Sequence, residues 1–193
     1  MSLGFGLQPR DAPAPAWATR EWFNASGPLQ LADLRGRVVV LHAFQMLCPG
    51  CVQHGLPQAQ RIRAAFAPED VTVVGLHTVF EHHEAMGPAS LAAFLHEWRI
   101  RFPVGVDAPD PKGDAIPQTM RAYGMRGTPT MILIDAKGRL RRQVFGAQDD
   151  LLLGAELQAL LMEATLNDSV RQSWVSPTLG CDDEGCAPPP PRE

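Results

Sequence analysis

The 193-residue chain carries a formal net charge of −4, is 45% hydrophobic and contains four cysteines. That length suits one domain with decorations and is enough to bury a sizeable core, so no covalent staple is needed for stability. The acidic balance gives no electrostatic case for nucleic acid or anionic lipid, and no apolar run approaches the ~20 residues of a membrane span.

The opening MSLGFGLQPRDAPAPAW lacks the basic start and apolar centre of a signal peptide, so the chain reads as soluble and cytoplasmic. Next, REWFN and LQLADL, split by Ser26-Gly27-Pro28, read as a short hairpin or arm. RVVVLHAF (37–44) is a nearly continuous apolar, β-branched run, the pattern of a strand buried on both faces. A helix is predicted over 49–66, with Pro49 at its first position and Ile62, Ala65 and Phe66 along an apolar stripe. VTVVGLHT (71–78) predicts a second buried strand, 88–100 an amphipathic helix, 102–107 a short strand and 118–123 a short helix. TPTMILIDAKGRLRRQVFG then reads as two strands around an Asp-Ala-Lys-Gly turn, and 149–166 as a closing helix with acids in its first turn. Strands alternating with helices pair in parallel, and the hairpin adds an antiparallel edge. The expected fold is therefore α/β, a mixed central sheet with helices on both faces. From about residue 167 the pattern dissolves into a low-complexity tail ending CDDEGCAPPPPRE.

The cysteines form two tight pairs, Cys48/Cys51 and Cys181/Cys186. Closely spaced cysteines outside a disulfide scaffold are catalytic or metal-binding more often than structural. Cys48 falls where a buried strand meets a helix, with Cys51 one turn further along the same face. Unpaired N–H groups and the positive end of the helix dipole favour a thiolate there. Cys48 is thus the expected nucleophile and Cys51 the resolving thiol. A zinc site would require two further ligands, which only the tail pair offers. No cofactor or metal is expected.

These features resemble the thioredoxin superfamily, and in particular its TlpA-like, redoxin (AhpC/TSA-type) branch. The resemblance runs over about residues 29–165 and rests on DLRGRVVVLHAF leading into CPGC, on YGMRGTPTMILIDAKGRL, and on the order of elements. It implies a three-layer α/β/α sandwich over 29–166, between an N-terminal arm (1–28) and a C-terminal tail (167–193). It also implies that Thr128-Pro129 forms a cis peptide bond facing the cysteines. Proline supplies no N–H there, which leaves the preceding backbone free for a substrate strand. The implied activity is thiol–disulfide exchange through the Cys48/Cys51 pair, in the service of cell redox homeostasis. Its partners would be a protein or small-molecule disulfide or thiol and an unidentified reductant or oxidant. Neither nucleic acid nor membrane enters.

The chain departs from the family pattern in several places. Leu47 stands where a tryptophan is usual, and Pro49-Gly50 replaces a Gly-Pro type dipeptide. Pro57 lies one residue further from the second cysteine than usual, and His42 occupies a position often held by a buried acid. His42 is a candidate proton acceptor for the resolving thiol, or else a core histidine. His54 reads as a solvated helix histidine. His82 and His83, between glutamates, have a metal-binding composition but no third ligand in sequence. Two other functions remain as alternatives. In a peroxiredoxin-like thiol peroxidase Cys51 would take the peroxidatic place, but the expected arginine falls at Pro129 and the expected threonine at Cys48. Without them nothing holds the peroxide for attack. The other is a non-enzymatic docking module. Cys181 and Cys186 flank three acids and read as a second redox pair, a weak metal clip or an inert tail.

Overall fold

The computed structural model describes the backbone of residues 12–173, 181–182 and 185–186, and side chains from 12 to 166. Six strands form one sheet in the order β1-β4-β3-β2-β5-β6: β1 (Thr19–Phe23), β2 (Val38–Phe44), β3 (Val71–His77), β4 (Val104–Asp107), β5 (Thr130–Ile134) and β6 (Leu140–Phe145). β2, β3 and β4 run parallel, while β5 pairs antiparallel with β2 and β6 antiparallel with β5. Helices α1 (Leu56–Ala65), α2 (Pro88–Glu97), α3 (Gln118–Ala122) and α4 (Asp150–Ser173) complete the fold.

Every residue of β2 is buried, as its apolar run requires, and its alternation divides the core. Val38, Val40 and Phe44 face Leu56, Ala59 and Ile62 of α1, Leu91 and Leu95 of α2, and Leu153, Leu157 and Leu160 of α4. Val39, Leu41 and Ala43 face Trp17, Leu31, Leu34, Met120 and Tyr123. The result is the expected thioredoxin-like three-layer sandwich.

Two elements differ from the sequence reading. REWFN does not pair with LQLADL. Thr19–Phe23 is instead an edge strand antiparallel to β4, and Leu31–Leu34 is a 3₁₀ turn. Trp17 anchors this segment by donating its indole N–H to the Tyr123 hydroxyl at 3.1 Å, and that hydroxyl donates to the Pro15 carbonyl at 2.7 Å. α4 also runs to Ser173, past its expected end at 166. It is pinned to β6 by an ion pair between Arg142 and Glu156, and by the Arg141 fork on Glu163.

The candidate dithiol site

β2 ends at Phe44, and the chain turns through 45–48 into a helical start at 49 and 50. Cys51–Gly55 then forms a π-turn, and regular α-helix begins only at Leu56. A π-turn accommodates one residue more than an α-turn. The additional residue between Cys51 and Pro57 is taken up there.

Cys48 is half-buried and Cys51 fully buried, both as free thiols. The backbone N–H of Cys51 donates to Cys48 Sγ at 3.2 Å, as the amides of a helix start are placed to do. Burial, then the Cys48 sulfur beside it, pushes the Cys51 thiol up to about 12. At neutral pH that thiol is protonated. One cysteine is therefore reachable and bonded to a helix amide, and the other is a shielded reserve.

The Thr128–Pro129 peptide is cis, and the Thr128 carbonyl lies 3.5 Å from Cys48 Sγ. Gly50 faces this loop so closely that a Cβ would stand 3.3 Å from Pro129 Cδ. Phe145, at the end of β6, packs beside Gly127 and lies under the Arg126 guanidinium, 5.6 Å from ring centre to Cζ. Phe145 and Leu47 are about half exposed, at 47% and 56%, giving the region around Cys48 an apolar rim.

His42 lies on the α1 side of β2, between Leu41 and Ala43, which face the other core. Its ring is buried, and neither nitrogen has a hydrogen-bond partner. A Cβ on Gly55 would sit 2.4 Å from His42 Cε1 and 3.1 Å from Pro129 Cβ, so the bare glycine makes room for the imidazole. Burial lowers the His42 pKa to about 4, and the ring is neutral at physiological pH.

Sequence reasoning missed Gln45 and Gly55. Gln45 is buried, its carbonyl accepts the Cys48 N–H at 3.2 Å, and its side chain bridges to Glu81 at 3.2 Å and to the Phe80 N–H at 3.3 Å. The available signal was a polar residue closing an apolar strand just before the cysteines. Other candidates stand apart from the site. His54, His82 and His83 are exposed, and among the described residues no group of three or more His, Cys, Asp or Glu is placed to hold a metal ion. Among the described residues, no helix is long and apolar enough to cross a membrane. The peroxidase alternative gains nothing from the geometry, since Cys51 is buried and its thiol is pushed up to about 12.

The fold and the paired thiols at its helix start define a thioredoxin-fold chain with a dithiol site. More particularly, the chain belongs to the AhpC/TSA family, whose profile matches residues 11–143. It is similar to the solved thioredoxin-like superfamily protein SPOA0173, with 61% identity, TM-score 0.75 and coverage of 77% of this chain and 96% of that one. It is also similar to a thiol-disulfide isomerase from Corynebacterium glutamicum, with 51% identity, TM-score 0.75 and coverage of 78% and 97%. Among curated proteins it is 28% identical over 145 residues to Protein DipZ of Mycobacterium tuberculosis, 74% of this chain but only 20% of DipZ. The expectation of a cytoplasmic protein does not survive these comparisons. Solved proteins of the same fold include an exposed lipoprotein thioredoxin of Streptococcus pneumoniae and a secreted disulfide oxidoreductase of Mycobacterium tuberculosis. The expectation rested on the N-terminal residues and on few, paired cysteines, and a catalytic pair is equally at home in an exported oxidoreductase.

Proposed function

We propose that the protein exchanges disulfides with protein substrates through Cys48 as nucleophile and Cys51 as resolving thiol. The observation that carries this is the asymmetry of the pair: one sulfur reachable and bonded to a helix amide, the other sealed and protonated. The Cys48 thiolate attacks a substrate disulfide, forming a mixed disulfide and releasing the other substrate sulfur as a thiolate. Cys51 then loses its proton and attacks Cys48 Sγ. The mixed disulfide breaks, Cys48–Cys51 forms, and the substrate leaves with two thiols. Run backwards, the same steps oxidise a dithiol. The Thr128 backbone at the mouth of the site is the natural edge for an extended substrate segment, with Leu47 and Phe145 receiving its apolar side chains.

His42 enters at the resolving step. Full proton transfer from a thiol near 12 to an imidazole near 4 would be uphill on the order of 10 kcal/mol, so His42 is not a resting base for Cys51. A neutral imidazole still carries one N–H, and donating it to the Cys51 thiolate lowers the cost of exposing that charge in the core.

The test is alkylation of the reduced protein under native conditions at pH 8. Cys48 reacts first, and Cys51, with a thiolate fraction of about one in ten thousand at a pKa near 12, stays protected until the protein is unfolded. Cys51→Ser then accumulates a mixed disulfide through Cys48 with reduced-and-alkylation-resistant stoichiometry of one substrate per chain. First labelling at Cys51 overturns the assignment.

A further inference from the structure

We propose that Arg126 selects substrates, favouring protein disulfides in which an aspartate or glutamate lies one or two residues from the reacting cysteine. The inference deepens the proposed exchange reaction and rests on the reading of Cys48 as nucleophile.

Three segments meet at the Cys48 sulfur. Residues 46–50 carry it, 126–130 bring the Thr128 carbonyl to 3.5 Å from it, and 144–148 are tied to the Pro129 carbonyl by the Gly146 N–H at 2.8 Å. Apart from Cys48 itself, Arg126 is the only ionisable side chain in all three. It is exposed, and among the described residues it pairs with no carboxylate. Acids of adjoining segments are engaged elsewhere. Glu81 accepts from the Gln45 amide at 3.2 Å, Asp149 from the Leu152 N–H at 3.0 Å, and Asp150 from Arg61 at 2.9 Å. The cation on this rim thus lacks a counter-charge, and a substrate can supply one.

The cation is also held in place. Its Cζ lies 5.6 Å from the centre of the Phe145 ring. That ring packs on Gly127, where a Cβ would stand 3.0 Å from Phe145 Cε2. A guanidinium over an aromatic face keeps N–H edges free for a carboxylate, and being already ordered it loses less freedom on binding one.

Reach sets where that carboxylate must stand. From Arg126 to Thr128 the backbone spans at most about 7 Å. A substrate segment extended along this loop advances about 3.3 Å per residue. With its sulfur at Cys48, beside Thr128, side chains one and two residues along come level with Gly127 and Arg126. An acid there meets the guanidinium, whereas a lysine meets like charge. A single cation on a neutral rim suits one carboxylate rather than a phosphate backbone, which takes several. The chemistry stays with the cysteines. Cys48 attacks one substrate sulfur and expels the other as a thiolate; Cys51 loses its proton to water and closes the Cys48–Cys51 bond. Two electrons pass to the substrate disulfide, and its two sulfurs take up protons as thiols.

The test uses reduced full-length protein and three peptide disulfides, each a symmetric dimer of a single-cysteine peptide. Glutamate, glutamine or lysine occupies the positions two before and two after the cysteine. Mass spectrometry counts the thiols formed. Each rate is divided by that of the same peptide with dithiothreitol, which removes its own reactivity toward a thiolate. The glutamate peptide is expected to react at least about fivefold faster than the lysine peptide at low salt, and this ratio shrinks as salt is added. Arg126→Gln brings the ratio near one, and Arg126→Glu inverts it. Because the ratio is taken within one protein, a general loss of activity does not imitate the result, and Arg126→Gln decides if Arg126→Glu is inactive. A wild-type ratio of one or below, or a preference that survives these substitutions, overturns the proposal alone. If the wild type reduces none of the peptides, the reading of the Cys48 site falls, and this proposal with it.

Discussion

At the scale of single residues, His42 is the least ordinary group in the core. Burying a polar ring without a partner costs on the order of 1–3 kcal/mol. Both of its nitrogens are in that position in the resting, reduced site. Replacement by leucine, similar in volume and free of that cost, is therefore predicted to leave stability at pH 7 equal or raised. Attack by Cys48 will be unchanged, because its sulfur is held by the Cys51 amide at the Thr128 carbonyl. Release of the mixed disulfide will slow about tenfold, the loss of one hydrogen bond of roughly 1.4 kcal/mol to a charged sulfur. Single-turnover kinetics separate the two steps, and an unchanged release rate would reduce His42 to packing. The motif and its placement were legible in the sequence because CPGC, the preceding strand and Thr128-Pro129 are local signals. The state of His42 was not: a pKa near 4 comes from complete enclosure by β2, Gly55 and Pro129, which only the assembled fold supplies.

At the scale of elements, the π-turn over Cys51–Gly55 shapes the site floor. Gly55 would normally be a liability in a helix, about 1 kcal/mol worse than alanine. Here an alanine Cβ would meet His42 Cε1 at 2.4 Å, a contact that forces the ring or the turn to move. Overpacking of that kind costs roughly 1–3 kcal/mol and outweighs the helix gain. Gly55→Ala is predicted to destabilise by about 1–2 kcal/mol in urea titrations, and to become neutral or stabilising beside His42→Ala. A stabilising effect in the wild-type background would refute the contact. Strands β2 to β6 and the four helices are all anticipated by their periodicity. The edge strand was not, since REWFN has no clean alternation, and its pairing with β4 depends on a partner some eighty residues away. The far end of α4 was missed for a related reason. Its last turns lose the apolar stripe and continue on helix propensity and the register set by Leu153, Leu157 and Leu160.

For the molecule as a whole, two buried histidines set the response to acid. His77, at the end of β3, is also enclosed, and burial, with Arg20 adding to it, lowers its pKa to about 4. Unfolded, both rings titrate near 6.5, so between about pH 6.5 and 4 the unfolded chain binds protons that the native one refuses. A lowered histidine pKa therefore contributes stability that is full above pH 6.5 and falls as the pH drops. Each ring contributes on the order of 3 kcal/mol across that window. The salt-bridged acids, Asp135 and Glu163 with their arginines, are held below the ordinary carboxylate range and add a further loss only at lower pH. Asp107 acts the other way, its carboxyl raised by burial despite accepting from the Thr119 and Met120 amides and the Thr78 hydroxyl. Urea midpoints are therefore predicted to fall steadily from pH 6.5 to pH 4.5, before the paired acids titrate. His42→Leu will remove about half of that slope and His42→Leu/His77→Leu most of it. A slope that survives in the double variant would mean that another group, not the enclosed imidazoles, controls the acid limb.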